Sequence, residues 1–314
     1  MISLEHVVKR YGDRVAVDDL SVEIGAGEMA VLVGPSGCGK TTTLRMINRL
    51  VEPTSGTIRV DGRDTRERGV EELRRSIGYV IQQAGLFPHL TVAENIATVP
   101  RLLGWDRRRI RARVEELLEL VGLPPAGYAG RLPRALSGGE RQRVGVARAL
   151  GADPPVLLMD EPFSALDPVT RLRLQGELLR VQSLVRKTIV VVTHDIDEAL
   201  RLGDRVILLQ TGGRLAQVAT PAELLAHPAS EFVAGFLGGD RTLRRLALIP
   251  LAAAELRSAG GTVPAERVEA GGSLRDALEV VLRSADGRAA VVDSGDRVVG
   301  MVDAEVIRRA AAAR

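Results

Sequence analysis

The sequence predicts an α/β fold followed by a second, smaller α+β unit. Three observations carry this. The apolar run Met29-Ala30-Val31-Leu32-Val33 leads into a glycine-rich loop and then into the amphipathic segment Thr43-Leu44-Arg45-Met46-Ile47. Two further apolar runs, residues 156–159 and 188–192, read as buried strands that end in polar residues. Beyond Gly238-Gly239-Asp240, which reads as a linker, short helix and strand segments alternate around one hairpin turn.

The chain has 314 residues, a length that suggests about two domains. Its composition, 45% hydrophobic and 26% charged, is that of a globular protein. The net charge of +3 gives no bulk case for a nucleic-acid partner. The basic pI comes from arginine, since Lys9, Lys40 and Lys187 are the only lysines. Cys38 is the sole cysteine, which excludes an intrachain disulfide and a cysteine-cluster metal site. Glu5, His6, Lys9 and Arg10 interrupt the start, so nothing there resembles a signal peptide. No apolar run approaches the ~20 residues of a membrane helix. A cytoplasmic location is expected, with any membrane role requiring a partner.

Residues 2–9 and 20–24 read as strands of a small β layer joined through Tyr11-Gly12-Asp13. Tyr11 has two readings. It could stack on a purine beside a phosphate loop, or it could be a half-buried strand-end tyrosine, and the residue alone favours the second. Residues 34–41, Gly34-Pro35-Ser36-Gly37-Cys38-Gly39-Lys40-Thr41, fit the phosphate-binding pattern G-x-x-x-x-G-K-[ST]. The glycines let successive backbone N–H groups point into one concavity, and the next helix adds its N-terminal dipole. Lys40 would reach the terminal phosphates, and the Thr41 hydroxyl would sit on Mg²⁺. Residues 55–62 read as a strand ending in a turn. Residues 74–83 read as another strand, ending in the amides Gln82 and Gln83. A loop over 85–91 stops at Thr91, and a helical, polar region runs from Val92 to about Gly122. The basic run 107–113 reads as a solvated helix face, with a partner surface as the alternative.

Residues 136–143, Leu136-Ser137-Gly138-Gly139-Glu140-Arg141-Gln142-Arg143, open a helix. Ser137 is a plausible N-cap, and Gly138 and Gly139 leave the helix N-terminus bare for an anion. The strand at 156–159 ends in Asp160 and Glu161, where a Mg²⁺ ligand belongs downstream of a phosphate loop. Period two sends the two acids to different sides. Asp160 would hold the metal, and Glu161 would face the γ-phosphate and take a proton from the attacking water. Turn chemistry is the alternative for such a pair. Ser164-Ala165-Leu166-Asp167 follows closely. The strand at 188–192 leads to His194, on the sheet edge where ligands bind in such folds.

In this order and at this spacing, residues 1 to about 235 resemble the ATP-binding cassette (ABC) ATPase family. Walker A lies at 34–41, the Q-loop at Gln82, the signature at 136–140 and Walker B at 156–160. The catalytic glutamate Glu161, the D-loop 164–167 and the switch histidine His194 complete the set. The family's signature usually ends in Gln, and Glu140 departs from it at the helix's polar edge. The resemblance implies a RecA-like parallel core, an antiparallel β layer and a helical subdomain, with an ATPase domain over 1–237. It also implies two cassettes, a homodimer or a paired ATPase subunit, sandwiching two ATP molecules. Ser137, Gly138 and Gly139 of one chain would complete the site of the other. Tyr11 would then stack on adenine. Lys40, Thr41, Thr42, Gln82 and Asp160 would surround phosphates and Mg²⁺, with Thr41, Gln82 and Asp160 as the metal set. Glu161 would polarise water, His194 would hold the γ-phosphate, and Asp167 would sit at the dimer seam.

Residues 79–96, Gly145 to Leu150 and Phe163 to Pro168 resemble more specifically the ATPases of quaternary-amine osmoprotectant importers, for glycine betaine, choline, carnitine or proline. That implies an integral membrane permease contacting residues 83–105, an extracytoplasmic solute-binding protein acting indirectly, and a place at the cytoplasmic face of the cell membrane. Residues 241–314 look like a single cystathionine-β-synthase-type (CBS) repeat. The expected parts are a helix over 273–283, strands at 289–292 and 298–302 around the turn Asp293-Ser294-Gly295-Asp296, and a last helix from Asp303. Regulation and simple stabilisation are both open for this unit. A soluble ABC protein acting on nucleic acid or ribosomes is the rival class. It usually carries paired cassettes or metal-binding insertions, and this chain has one cassette and one cysteine.

Overall fold

The computed structural model describes residues 1–82, 85–164, 166–258 and 263–312. They divide into two compact units, Met1–Thr220 and Pro221–Arg314. Gln83, Ala84 and Ala165, named above in the Q-loop and D-loop segments, lie outside the described residues.

In the first unit, β1 (Ile2–Tyr11) and β2 (Arg14–Ile24) form an antiparallel hairpin in which Ile2 faces Ile24 and Tyr11 faces Arg14. Next come β3 (Met29–Val33) and α1 (Lys40–Ile47), then β4 (Ser55–Val60) and β5 (Arg63–Asp64). β1, β2, β4 and β5 make one antiparallel sheet in the order β2-β1-β4-β5. α2 (Val70–Arg75) precedes β6 (Ile77–Val80). Here the structure corrects the sequence: Arg74 and Arg75 close a helix rather than open a strand. Glu71 and Glu72 occupy the first turn of α2 and the two arginines its last, the arrangement a helix dipole favours. The strand stops at Val80, so Gln82 projects from the turn beyond it.

The helical region follows the expected pattern. α3 (Val92–Ile96) starts at Thr91 with a capping box closed by Glu94. α4 (Thr98–Leu102), α5 (Arg107–Leu120) and α6 (Pro125–Tyr128) lead to α7 (Gly138–Ala149), which packs on α3 and α5. Val114, Leu117 and Leu118 bury the inner face of α5, each contributing roughly 1.5–3 kcal/mol of apolar burial.

The chain returns through β7 (Val156–Asp160), α8 (Pro168–Val185), β8 (Thr188–Val192) and α9 (Ile196–Leu202), then β9 (Arg205–Gln210) and β10 (Arg214–Ala219). The second sheet runs β10-β9-β3-β8-β7-β6, with five parallel strands and β10 antiparallel at the edge. All five residues of each of β3, β7 and β8 are buried. That is why these strands read as unbroken apolar runs: both faces of a parallel sheet are covered. The three adjacent strands all point their C-terminal ends at one edge, which brings residues 34–42, 160–161 and 193–195 together.

The second unit holds α10 (Pro221–Ala226), α11 (Glu231–Leu237) and α12 (Arg241–Leu248) ahead of β11 (Arg267–Glu269), α13 (Leu274–Arg283), β12 (Arg288–Val292), β13 (Val298–Asp303) and α14 (Ala304–Ala312). β11 pairs parallel to β12, and β12 pairs antiparallel to β13. Its own core gathers Leu251, Leu274, Val281, Val291, Val302 and Ile307. The break at 238–240 falls inside this unit, between α11 and α12, and α10 packs against α12.

Candidate functional site

The loop between β3 and α1 is shaped by backbone that only glycine accepts easily. Gly34 has φ +153°, and a Cβ there would run into the Leu209 carbonyl. Gly39 has φ +94°, and its Cβ would strike the Ala16 carbonyl. Gly39 is also the N-cap of α1 and offers no side-chain cap, so the first amides of that helix stay available to an anion. Lys40 is buried, its Nζ donating to the carbonyls of Gly34 at 2.7 Å and Pro35 at 3.0 Å. Cys38 is buried too, and burial pushes its thiol up against the opposing pull of Lys40.

Ser36 to Thr42 line a cleft of about 460 Å³ together with Tyr11, Arg14, Ala16 and Glu161. Tyr11 is half exposed at its mouth, with Lys9 Nζ 4.9 Å from its ring centre. A half-exposed tyrosine at the end of β1 fits either expectation, a stacking platform or a strand-end residue. Arg14 was not anticipated. It sits opposite Tyr11 across the hairpin turn, with its guanidinium near Gly37. Only the turn's register could have pointed to it.

Thr41 Oγ1 donates to Asp160 Oδ1 at 2.9 Å, so helix α1 and the end of β7 meet at two of the three residues named for a metal. Asp160 is buried. Behind it, burial and the Asp160 charge push the Tyr79 hydroxyl up. A hydroxyl and one carboxylate suit Mg²⁺, which binds through one or two protein oxygens and completes its shell with water and phosphate. Gln82 stands apart from that pair. Its Nε2 donates to Glu161 Oε2 at 3.3 Å and to Ser164 Oγ at 3.2 Å.

Glu161 leaves β7 with φ +46°, while its N–H stays bonded to the Val192 carbonyl at 2.9 Å. The left-handed turn, more than strand alternation, separates the two acids. Asp160 faces Thr41, and Glu161 faces Gln82 and His194, whose Nδ1 lies 3.3 Å from Glu161 Oε2. The carboxylate thus meets an amide and a histidine from two other segments and shares a cleft with the phosphate loop.

Asp167 and the signature residues are not part of this cleft. The Asp167 side chain accepts from Thr170 N at 3.0 Å and caps α8. Ser137 caps α7 in a capping box with Glu140. Glu140 Oε2 accepts the Ser137 N–H at 2.6 Å, and Oε1 accepts from the Tyr128 hydroxyl at 2.7 Å. These bonds pull the Glu140 carboxyl down to about 2, the Tyr128 bond being the largest cause. Gly138 and Gly139 look toward Leu166, Thr170 and Leu174, at the D-loop and the start of α8. Ser137, Gly138 and Gly139 line no part of the cleft in their own chain.

Residues 17–164 match the family model described as ABC transporter. An osmoprotectant import ATP-binding protein of Salmonella typhimurium is 53% identical over 254 residues, covering 79% of this chain and 66% of the relative. A glycine betaine/carnitine/choline transport ATP-binding protein of Bacillus subtilis is 46% identical over 308 residues, covering 98% of this chain and 79% of the relative. Among solved structures, a dimeric ATP-binding cassette in a post-hydrolysis state with ADP and phosphate is 36% identical. It aligns with a TM-score of 0.62 over 70% of this chain and 99% of that one. Phosphate loop, two carboxylates, amide and histidine lie at one sheet edge, and by these likenesses the chain belongs to the ABC transporter family as an ATP-binding cassette.

Proposed function

We propose that this cassette hydrolyses ATP with Mg²⁺ to drive uptake of a quaternary-amine osmoprotectant such as glycine betaine, choline, carnitine or proline. The observation that carries the hydrolytic part is Glu161, held between Gln82 and His194 at the mouth of the phosphate cleft. Glu161 takes the proton of the attacking water, and His194 orients both the carboxylate and the γ-phosphate. Lys40 turns from the loop carbonyls to the terminal phosphates. Thr41 and Asp160 hold Mg²⁺, which offsets the charge of the phosphates when bound. Tyr11 stacks on the purine, and Arg14 flanks it.

The active form is a pair of cassettes, a homodimer or this chain with a second ATPase subunit. Ser137, Gly138 and Gly139 line no part of their own cleft, and the α7 amides that the Ser137–Glu140 capping box does not use suit an anion presented by a partner. Dimeric assembly of the solved neighbour supports this.

The permease docks on the helical region. Support comes from a groove of about 1200 Å³ there, floored by Ala93, Ala97 and Ala129 and rimmed by Arg101, Trp105 and Arg107. Small residues on the floor admit a helix, and Trp105 with Arg109 stacked 3.5 Å over its ring supplies an amphipathic wall. Asn95 holds the adjoining loop by accepting from Phe87 N and donating to the carbonyls of Phe87, Leu90 and Thr91. No helix among the described residues is long and apolar enough to cross a membrane. The cassette is placed at the cytoplasmic face through the permease. The solute itself is read by the permease and its binding protein, and the names of the relatives support the osmoprotectant class.

Within the second unit, residues 267–312 run β-α-β-β-α, which agrees with one CBS-type repeat, and we assign it a regulatory role. The test of the whole reading is uptake of labelled glycine betaine, choline, carnitine and proline. Cells with this chain, without it and with Glu161→Gln are compared before and after osmotic upshift. Loss of one solute's uptake in both altered strains identifies it. Unchanged uptake of all four removes the osmoprotectant reading.

A further inference from the structure

Helices α8 and α9 begin at two functional segments, the D-loop and the switch histidine, and a short polar ladder joins their first turns. Arg171, one turn into α8, donates through Nη2 to the Leu166 carbonyl at 3.3 Å and through Nη1 to Asp195 Oδ2 at 3.3 Å. Asp195 directly follows His194. Its other oxygen, Oδ1, caps α9 by accepting from the N–H groups of Asp197 and Glu198. One helical turn further along, Gln175 Nε2 donates to Glu198 Oε2 at 3.4 Å. Gln175 and Glu198 are both buried.

From this geometry we propose that Arg171 is a positioning residue for hydrolysis: it ties the D-loop carbonyl at Leu166 to Asp195 and thereby sets where His194 stands relative to Glu161. Leu166 and Asp195 belong to segments that share no backbone hydrogen bond among the described residues. A guanidinium is a planar fork that holds a carbonyl and a carboxylate at a fixed spacing on two separate nitrogens, more rigidly than an ammonium does. Arg171 Nε is buried without a hydrogen-bond partner, so the fork has a spare donor with which to follow a shift of either segment. The Asp195 carboxylate is shared between the fork and the helix cap, so a movement of Leu166 is felt at the residue next to His194.

The inference rests on Glu161 and His194 being the hydrolytic pair, and its test separates the two. Turnover is measured for Arg171→Met, Arg171→Lys, Asp195→Asn and the double variant Arg171→Met/Asp195→Asn. Asn keeps the α9 cap, since its side-chain oxygen also accepts backbone N–H. The expected result is a kcat lower by about tenfold or more in Arg171→Met and in Asp195→Asn, with KM for ATP little changed. The double variant should be no worse than either single, and Arg171→Lys should recover part of the loss. Multiplied losses in the double variant, a loss confined to KM, or unchanged kcat in Asp195→Asn would each overturn the proposal. If Arg171→Met fails to fold, Asp195→Asn and Arg171→Lys carry the test. Full turnover in Glu161→Gln would remove the underlying reading instead, and it leaves the Arg171–Asp195 coupling to be judged on its own numbers.

Discussion

Glu161 sits at a backbone angle that a side chain rarely adopts, with φ +46°. Conformations of this kind cost of order 1–3 kcal/mol and persist where the surroundings hold them. Glu161→Gln keeps the shape and loses the base. It should still bind ATP while turnover falls by roughly two to four orders of magnitude. Equilibrium nucleotide binding and steady-state phosphate release on the same preparation check both halves. Glycines offer a second comparison. Gly39→Ala places a methyl against the Ala16 carbonyl at φ +94°, and ATP affinity should collapse with it. Gly176→Ala, in open space within α8, should stabilise the protein by about 0.5–1 kcal/mol in denaturant unfolding. The positions of Lys40 and Thr41 could be read from the phosphate-loop pattern and those of Asp160, Glu161 and His194 from the ends of buried apolar runs, whereas Gln82 stood out only through the family resemblance. Arg14, Tyr79 and Arg171 were not legible, because their partners arrive only through the tertiary fold.

Helix ends hold the titrating groups of interest. Glu140 closes the cap of α7, and its carboxyl is held at about 2 instead of 4.5. Stability from that charge is complete above pH 4.5 and is lost as the pH falls toward 2. Tyr128→Phe removes the largest cause, so its stability should fall less steeply over that acid range, as pH-dependent melting will report. Glu198, in the first turn of α9, shifts the other way. Burial, and then the Asp195 charge, push it up to about 7 from 4.5. The folded protein then holds a proton that the unfolded chain has released, so stability falls as pH rises from 4.5 through 7. Glu198→Gln should flatten that decline and melt higher than the unsubstituted protein at pH 8. Elements with a strong local signature were readable in advance: the helix starts at Thr91 and Ser137, the buried strands, the helix at 273–283. Residues 74 and 75 were misassigned because the apolar run of β6 is only four residues long, and alternation cannot fix the start of so short a strand.

At the scale of the molecule, every residue lining the cleft lies between Tyr11 and Glu161, and His194 closes the set within the first unit. A chain ending at Thr220 should therefore retain ATP binding with an unchanged affinity, measured by calorimetry beside the full chain. A large loss of affinity would make the second unit part of the nucleotide site. The α/β class, the separate β layer and a second unit were legible from run lengths and composition. The boundary of the units was not, because α10 and α11 carry no composition shift that sets them apart from the cassette, and the packing of α10 on α12 appears only in the fold. One small feature bears on how such sequences can drift. The Tyr128 hydroxyl is a rotor: it donates to a carboxylate and can equally accept from an amide. Glutamate and glutamine at position 140 can then trade places by turning one hydrogen, with the α7 cap kept in both. The chain can cross between the two forms of its signature without passing through a broken intermediate, so the letter at that position says little about whether the cassette works.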